Sequence, residues 1–206
     1  VTATNGAILF YECQNRFQVQ TKRTLSELSV ESNDAIILPD SSQKMGIVIV
    51  PKNPSTTIQM DLEEGAVFQQ TFEVIRPPKP QIELIVNGKA YDGVSTISKK
   101  SNLLVRVKPD PAFLAAFPED AIYLIDHIDL VAQRSLGPPT KVATFSGKGQ
   151  SPTKGIPITL GNYLKADPPG TTIFLRIGSI NRVNFRHEII REGFSSRELA
   201  LGLTIK

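Results

Sequence analysis

The side chains best placed for chemistry form one short cluster, in which Asp126, His127 and Asp129 lie within four residues of one another. This composition could serve acid–base catalysis or metal binding. Neighbouring side chains on a strand point to opposite faces, so we expect Asp126 and His127 to diverge and His127 and Asp129 to share a face. A metal ion would need a third ligand, and His187 is the only other histidine. We therefore interpret the cluster as a structural or surface feature and predict no metal site.

A second candidate is the glycine- and lysine-rich segment 147–155, which superficially resembles a phosphate-binding loop. A P-loop requires Gly-Lys followed directly by Ser or Thr and then a helix. Here Pro152 interrupts the pattern, and the following Ile156-Pro157-Ile158 is not helical in character. The segment predicts an exposed loop, with no nucleotide and no other cofactor.

Nucleophilic chemistry also lacks a plausible constellation. Cys13 is the only cysteine and has no basic neighbour in the sequence that would stabilise a thiolate. A hydrolase needs a nucleophile, a base and an acid brought together, and no such set stands out. We predict that the chain is not an enzyme and assign no catalytic residues.

The densest basic run lies between residues 182 and 191 and includes one phenylalanine. Phosphate contacts combined with a stacking ring could bind nucleic acid, but Glu188 lies within the run, Glu192 directly follows it, and no nucleic-acid-binding motif is present. The remaining interpretations are a solvated strand face and a protein contact. With two lysines of the 147–155 loop, the predicted partner-contacting residues are Lys148, Lys154, Arg182, Arg186 and Arg191.

Charge is distributed unevenly along the chain. Residues 1–76 carry 6 Lys and Arg against 9 Asp and Glu, a net charge of −3, and residues 77–206 carry 17 against 11, a net charge of +6. A basic second part could steer an acidic partner towards it, or it could simply keep the surface soluble. Nucleic acid is not among the predicted partners.

The element expected to organise the chain is Arg76-Pro77-Pro78-Lys79-Pro80. Three prolines in four positions fix φ, remove backbone donors and exclude both a helix and a strand ladder. The segment predicts a short, stiff spacer of polyproline type. We therefore predict a small β-sandwich at residues 1–76, a rigid spacer at 77–80 and a larger Ig-like β-sandwich at 81–206.

In the first domain, strict alternation places Phe17 and Val19 on one face, and the run Gly46–Val50 is typical of a strand buried on both faces. Further strands are predicted at 28–30, at 57–62 with Leu62 inward, and after a turn at 63–65. A domain of this size buries only about 60–65% of its unfolded surface, so we expect it to lean on another domain or a second copy of the chain.

In the second domain, Asn87-Gly88 predicts a hairpin and Asp110-Pro111 predicts the start of a short helix that buries Phe113 and Phe117. One helical turn is predicted at 160–164, and paired strands at 171–177 and 181–191. Residues 121–131 predict one long strand with a bulge, and its inward set would be Ile122, Leu124, Ile128 and Leu130. The fold class is therefore mostly β: two consecutive Ig-like β-sandwiches, the second with one or two short helices.

Four segments carry a family resemblance: Pro78–Pro80, Val86–Lys89, Lys99-Lys100 and Val107–Ala121. In these segments the chain resembles the C-terminal domain of the GldM/PorM family of bacterial gliding-motility and type IX secretion proteins. The resemblance extends roughly from Pro78 to the C-terminus and is most specific between Gln81 and Ile125.

This resemblance implies a non-catalytic, periplasmic, homodimeric shaft. It also implies anchoring in the inner membrane by an N-terminal helix outside this chain, and the chain's start at Val1 leads us to expect a fragment. A PorL-type inner-membrane partner would supply proton-driven motion, and a PorN/PorK-type lipoprotein complex under the outer membrane would receive it. The alternative is a periplasmic carbohydrate- or peptide-binding module, although the absence of Trp and the presence of only four Tyr make an aromatic sugar platform a poor fit.

Overall fold

A computed structural model describes residues 2–3, 8–19, 29–61, 67–134 and 137–206. It divides into two compact units, Val1–Pro78 with Asn184–Arg186 (unit 1) and Lys79–Val183 with His187–Lys206 (unit 2). The division falls inside the predicted spacer, and it assigns 184–186 to unit 1 although the sequence predicts them in the second domain. The predicted turn at 63–65, the inward Leu62 and the start of the predicted strand at Leu28 lie outside the described residues.

The described part of unit 1 forms two four-stranded sheets. Their orders are β1-β3-β6-β5 and β2-β8-β7-β4. The strands are β1 (Thr2–Ala3), β2 (Ile8–Phe10), β3 (Asn15–Gln18), β4 (Val30–Glu31), β5 (Ala35–Pro39), β6 (Gly46–Pro51), β7 (Ser55–Asp61) and β8 (Val67–Ile75).

The core of unit 1 lies between these sheets. Phe17 of β3 meets Phe72 of β8 edge to face, with ring centroids 5.4 Å apart, and Ile47 and Ile49 of β6 share the core with Met60 of β7. Each such side chain contributes about 1.5–3 kcal/mol by leaving water. Strand β6 is buried along its whole length, which confirms the expectation from its continuous apolar run.

Unit 2 contains three sheets, ordered β10-β9-β11-β15, β14-β13-β16-β19 and β12-β17-β18 in its described residues. Its elements are β9 (Gln81–Val86), β10 (Lys89–Ala90), β11 (Asn102–Lys108), α1 (Pro111–Ala116), β12 (Ile122–Ile125), β13 (His127–Gln133), β14 (Thr140–Ser146), β15 (Ile156–Thr159), a 3₁₀ helix (Leu160–Asn162), β16 (Thr172–Ile177), β17 (Ile180–Val183), β18 (Ile189–Arg191) and β19 (Ala200–Thr204).

Helix α1 is specified locally, as predicted. The backbone N–H of Phe113 donates to Asp110 Oδ1 at 2.9 Å, and Pro111 occupies the first turn. The rings of Phe113 and Phe117 are both buried and stack with centroids 5.3 Å apart. This six-residue helix and the 3₁₀ turn are the short helices of unit 2, and the mostly-β fold class is confirmed. No helix of the described residues is both long and apolar enough to cross a membrane.

The single long strand predicted at 121–131 is wrong. The chain breaks at Asp126 and changes sheets: β12 pairs with β17, whereas β13 pairs with β14 and β16. The change of sheet reverses the buried phase, so Tyr123 and Ile125 are buried while Ile122 is 36% exposed. Ile128 and Leu130 do face the core, and a register shift follows Leu130.

The predicted pairing of 171–177 with 181–191 is also wrong. Strand β16 lies between β13 and β19 in one sheet, and β17 turns back on β18 in another. The link between β16 and β17 begins at Gly178, where a Cβ would lie 2.0 Å from the His127 ring. A larger residue at this position would therefore require the partly exposed His127 ring to move.

Candidate interaction surface

The cluster around His127 is an ion-paired surface group. His127 Nδ1 lies 2.8 Å from Asp126 Oδ2, so these side chains converge, and the expectation that they diverge is wrong because Asp126 interrupts the strand. Asp129 accepts hydrogen bonds from Lys141 Nζ at 2.8 Å and Thr144 Oγ1 at 2.6 Å. Burial acts to raise the pKa of Asp129, but these two donors outweigh it and the net shift is downward.

Metal binding would need at least three suitable ligands close together. Within the described ranges, no group of three His, Cys, Asp or Glu side chains meets this condition. Asp129 is already neutralised by Lys141, and Asp126 is paired with the imidazole. The geometry of this cluster is that of polar and charged surface side chains that bind one another.

Both ends of the 147–155 loop lie close to the backbone of neighbouring segments. Gly147 N–H donates to the Asp126 carbonyl at 2.8 Å, and Gly155 adopts φ +72° where a Cβ would lie 2.5 Å from the Val105 oxygen. The segment that follows is the strand β15, which confirms the expectation that it is not helical, so the loop lacks the helix of a P-loop. Lys148 and Lys154 are exposed on it, which leaves both available for contacts.

Arg182 does not belong on the predicted interaction surface. It is 1% exposed, and its Nε donates to Glu192 Oε1 at 3.1 Å. Strand β17 alternates with Ile180 and Arg182 on the inward face, so the guanidinium is carried into the protein with its counter-ion. This is a buried ion pair, and we correct its assignment as a partner contact.

The remaining basic residues of the predicted set are exposed. Arg191 ends β18 opposite Asn181, whereas Arg186 lies in the turn that precedes β18, where its N–H donates to Asn184 Oδ1 at 3.0 Å. Arg191 belongs to unit 2 with the two loop lysines, and Arg186 belongs to unit 1. The predicted set is therefore divided between the two units.

Sequence reasoning missed an apolar groove in unit 2. It has a cavity volume of about 450 Å³ and is lined by the end of β11, the outer side of α1, the start of β12 and the tip of the 147–155 loop. Leu114, 42% exposed, and Ile122 contribute apolar surface to it. Prolines from three segments complete much of the wall: Pro109, Pro118 and Pro152.

The polar rim of this groove is basic. Arg106 Nε lies 2.5 Å from Glu83 Oε2, and this hydrogen bond is the largest cause of the lowered pKa of Glu83. Lys108 is exposed and its ammonium forms no hydrogen bond or ion pair within the described part of the chain. No carboxylate lines the groove. Such a surface can bind an apolar group beside an anion, but it supplies neither a nucleophile nor a general base.

Comparison with known proteins identifies no family for this chain. No protein-family model matches the chain, and no curated protein matches it. Among solved structures, it is similar to murine CEACAM1b, with 10% sequence identity, a TM-score of 0.27 and coverage of 98% of this chain and 97% of that one. A likeness at this TM-score carries no argument about function.

Proposed function

We propose that this chain is a non-enzymatic, dimeric, periplasmic element of a type IX secretion or gliding machine. It transmits displacement from an inner-membrane motor to a complex associated with the outer membrane. The family resemblance supplies the cellular setting, including the PorL-type and PorN/PorK-type partners. The observation that carries the mechanical part is a parallel strand pair in unit 1.

Strand β2 runs parallel to β8, with Ile8 beside Glu73, Leu9 beside Val74 and Phe10 beside Ile75. Force that enters before β2 and leaves after β8 pulls these strands along their lengths in opposite directions. All hydrogen bonds of the pair then bear the load together, since none can open before the others. A strand pair loaded in this way resists extension better than a hairpin whose bonds open one at a time.

The β2–β8 pair is covered by the core of unit 1 on one face. Leu9 and Val74, which face each other across the pair, are 1% and 9% exposed and belong to the core of unit 1. The Tyr11 N–H extends the pair by donating to the Ile75 carbonyl at 2.8 Å. A hydrogen bond in such a low-dielectric setting is stronger than one that water can replace.

The connection after β8 is short and has few rotatable bonds. The Arg76 guanidinium lies 5.9 Å from the Tyr11 ring centroid of unit 1. Lys79 is held within unit 2 by Glu198 at 3.0 Å and by the Phe194 ring at 5.2 Å. Only Pro77 and Pro78 separate these two anchored residues, and proline fixes φ at both positions. A stiff joint suits an element that passes on displacement.

Single-molecule force spectroscopy on the full 206-residue chain tests this proposal. Handles at Ile8 and Arg76 load β2 against β8 in shear, while handles at Ser55 and Glu73, which face each other at the open end of the β7–β8 hairpin, unzip that pair. We expect unit 1 to open at a clearly higher force in the first geometry. Equal opening forces in the two geometries would contradict a load-bearing role for β2–β8.

The dimeric part of the proposal needs its own measurement. Light scattering gives the mass in solution, and the proposal predicts twice the 22.6 kDa of one chain. Binding of a PorN-type partner to residues 1–76 alone, with none to residues 79–206, would contradict our placement of the outer contact on the basic second part. The alternative function, a peptide-binding module, is favoured by one observation, the apolar groove of unit 2.

A further inference from the structure

We infer that the groove of unit 2 is a docking site for an extended segment of a partner protein, one that presents an apolar side chain next to a carboxylate. The inference deepens the proposed function and rests on it only in assuming that the chain acts through protein contacts. It assigns the contact to Leu114, Ile122 and Lys108, none of which the sequence analysis placed in a contact site. The inferred ligand is defined by its chemistry.

Two large hydrophobic side chains that line the groove are exposed to solvent. Leu114 and Ile122 are 42% and 36% exposed although both are large hydrophobic residues, and both line the same concavity. Elsewhere on these elements, the large apolar side chains Phe113, Phe117 and Tyr123 are buried. Contiguous apolar surface that remains in water within a concavity is typical of a contact site.

The walls of the groove are also preorganised. Helix α1 is fixed at its start by the Asp110 cap and beneath by the stacked rings of Phe113 and Phe117. The loop that supplies Pro152 is held by the hydrogen bond from Gly147 to Asp126. A site that is already formed loses little conformational entropy when it binds, so even a short segment can bind measurably.

The positive charge at the rim of the groove favours an acidic partner segment. Glu83 pairs with Arg106 and also attracts Lys108, so the two cations of the lining share one neighbouring carboxylate and leave a net positive charge. Lys154, one residue beyond the lining Thr153, adds a second exposed cation to the loop at the rim. An acidic segment therefore meets net attraction, whereas a basic segment would meet net repulsion.

The occupant is a protein segment because the apolar residues lie in an open groove, with a cation at one margin. A peptide can place an apolar side chain in the groove and a carboxylate from a nearby residue at the margin beside Lys108. An anionic membrane is the main competing source of apolar and acidic groups. It is therefore included as an outcome of the test.

The probe is a synthetic seven-residue peptide of alternating Glu and Leu with blocked termini, titrated into the ¹⁵N-labelled 206-residue chain. We expect amide shift changes that centre on Lys108, Leu114 and Ile122. The Ile122→Glu variant should bind at least about tenfold more weakly, and Lys108→Glu should show a similar loss. A peptide with Lys in place of Glu should bind at least tenfold more weakly to the unaltered chain.

Two control variants distinguish the loss of groove contacts from the effect of adding a glutamate elsewhere on the surface. Ile189→Glu changes an isoleucine that is 69% exposed and lies outside the groove, and Lys100→Glu removes an exposed lysine elsewhere in unit 2. Both should bind the acidic peptide as the unaltered chain does, and all four variants should keep the dispersed spectrum of the folded chain. Lys108→Glu is an exposed substitution, so it tests the site even if Ile122→Glu fails to fold.

The inference is overturned if millimolar acidic peptide leaves the groove amides unshifted, or if control and groove variants weaken binding equally. It is also overturned if the groove amides respond to vesicles of phosphatidylglycerol and not to peptide. Any of these results would leave the comparison of shear and unzipping forces untouched. A failure of the docking site is therefore distinguishable from a failure of the proposed function.

Discussion

The buried pair of Arg182 and Glu192 gives the sharpest stability prediction. Their side chains are 1% and 9% exposed, and Arg182 Nε donates to Glu192 Oε1 at 3.1 Å. The Arg182→Met substitution keeps much of the volume but leaves the Glu192 carboxylate in the protein without this cation. Removal of one partner of a buried ion pair costs about 3–5 kcal/mol. Screening by solvent is small at this exposure, so we expect the full range to apply.

Urea unfolding followed by two-dimensional NMR measures this cost. The two units can unfold separately, so cross peaks from unit 2 must be followed on their own. For a unit of this size, the free energy of unfolding falls by about 2 kcal/mol per molar urea. The predicted loss therefore lowers the unit 2 midpoint by about 1.5–2.5 M. The unit 1 midpoint should move much less.

Two further variants separate charge burial from side-chain loss. Arg191→Met removes an exposed arginine two residues after Ile189 and should change stability by no more than about 0.5 kcal/mol. The double change Arg182→Met with Glu192→Leu removes both buried charges and should recover much of the loss. A cost below 1 kcal/mol for Arg182→Met would refute the assignment of Arg182 as a buried structural cation.

Three other predictions concern local features of unit 2. Asp110→Ala removes the acceptor for the Phe113 N–H and should cost about 1 kcal/mol in chemical unfolding, while Asp110→Asn, which keeps an acceptor, should cost a few tenths. Gly155→Ala should lower the melting temperature more than Gly149→Ala, because both glycines have positive φ but only the first added methyl meets backbone, 2.5 Å from the Val105 oxygen. Hydrogen bonds from Ser195 lower the pKa of Glu198 from 4.5 to about 2, so its stabilisation is present above pH 4.5 and lost as the pH falls towards 2. Thermal unfolding across that window should show a shallower decline for Glu198→Gln, and an identical decline would count against these bonds.

Features set by neighbouring residues could be predicted from the sequence. The Asp110-Pro111 start of α1 needs only a side-chain acceptor three residues before the Phe113 N–H and a residue with helical φ. The Asn87-Gly88 hairpin likewise needs only two positions that tolerate positive φ, and these residues have φ of 49° and 83°. Both structures are local, so the sequence contains the information that specifies them.

Features set by distant packing could not be predicted in the same way. The apolar run 121–131 is continuous, and the break at Asp126 arises because its two halves join different sheets. Nothing in the immediate neighbourhood of Arg182 indicates that its side chain faces inward. A hairpin of β17 and β18 does bring Glu192 near it, and this possible counter-ion could have suggested a buried ion pair. The groove draws on four separate chain segments, so no window of the sequence contains it.

The central claim of the proposal is that Pro77-Pro78, at one of the three places where the chain passes between the units, forms a stiff connection. Pulsed electron–electron double resonance tests this claim by measuring the distribution of distances between two spin labels. The labels are attached at the exposed positions Gln59 and Arg176, with Cys13 replaced by Ala. The account predicts a distance distribution that is broader when both prolines are replaced by glycine than when they are present. A distribution that is equally broad with and without the prolines would contradict it.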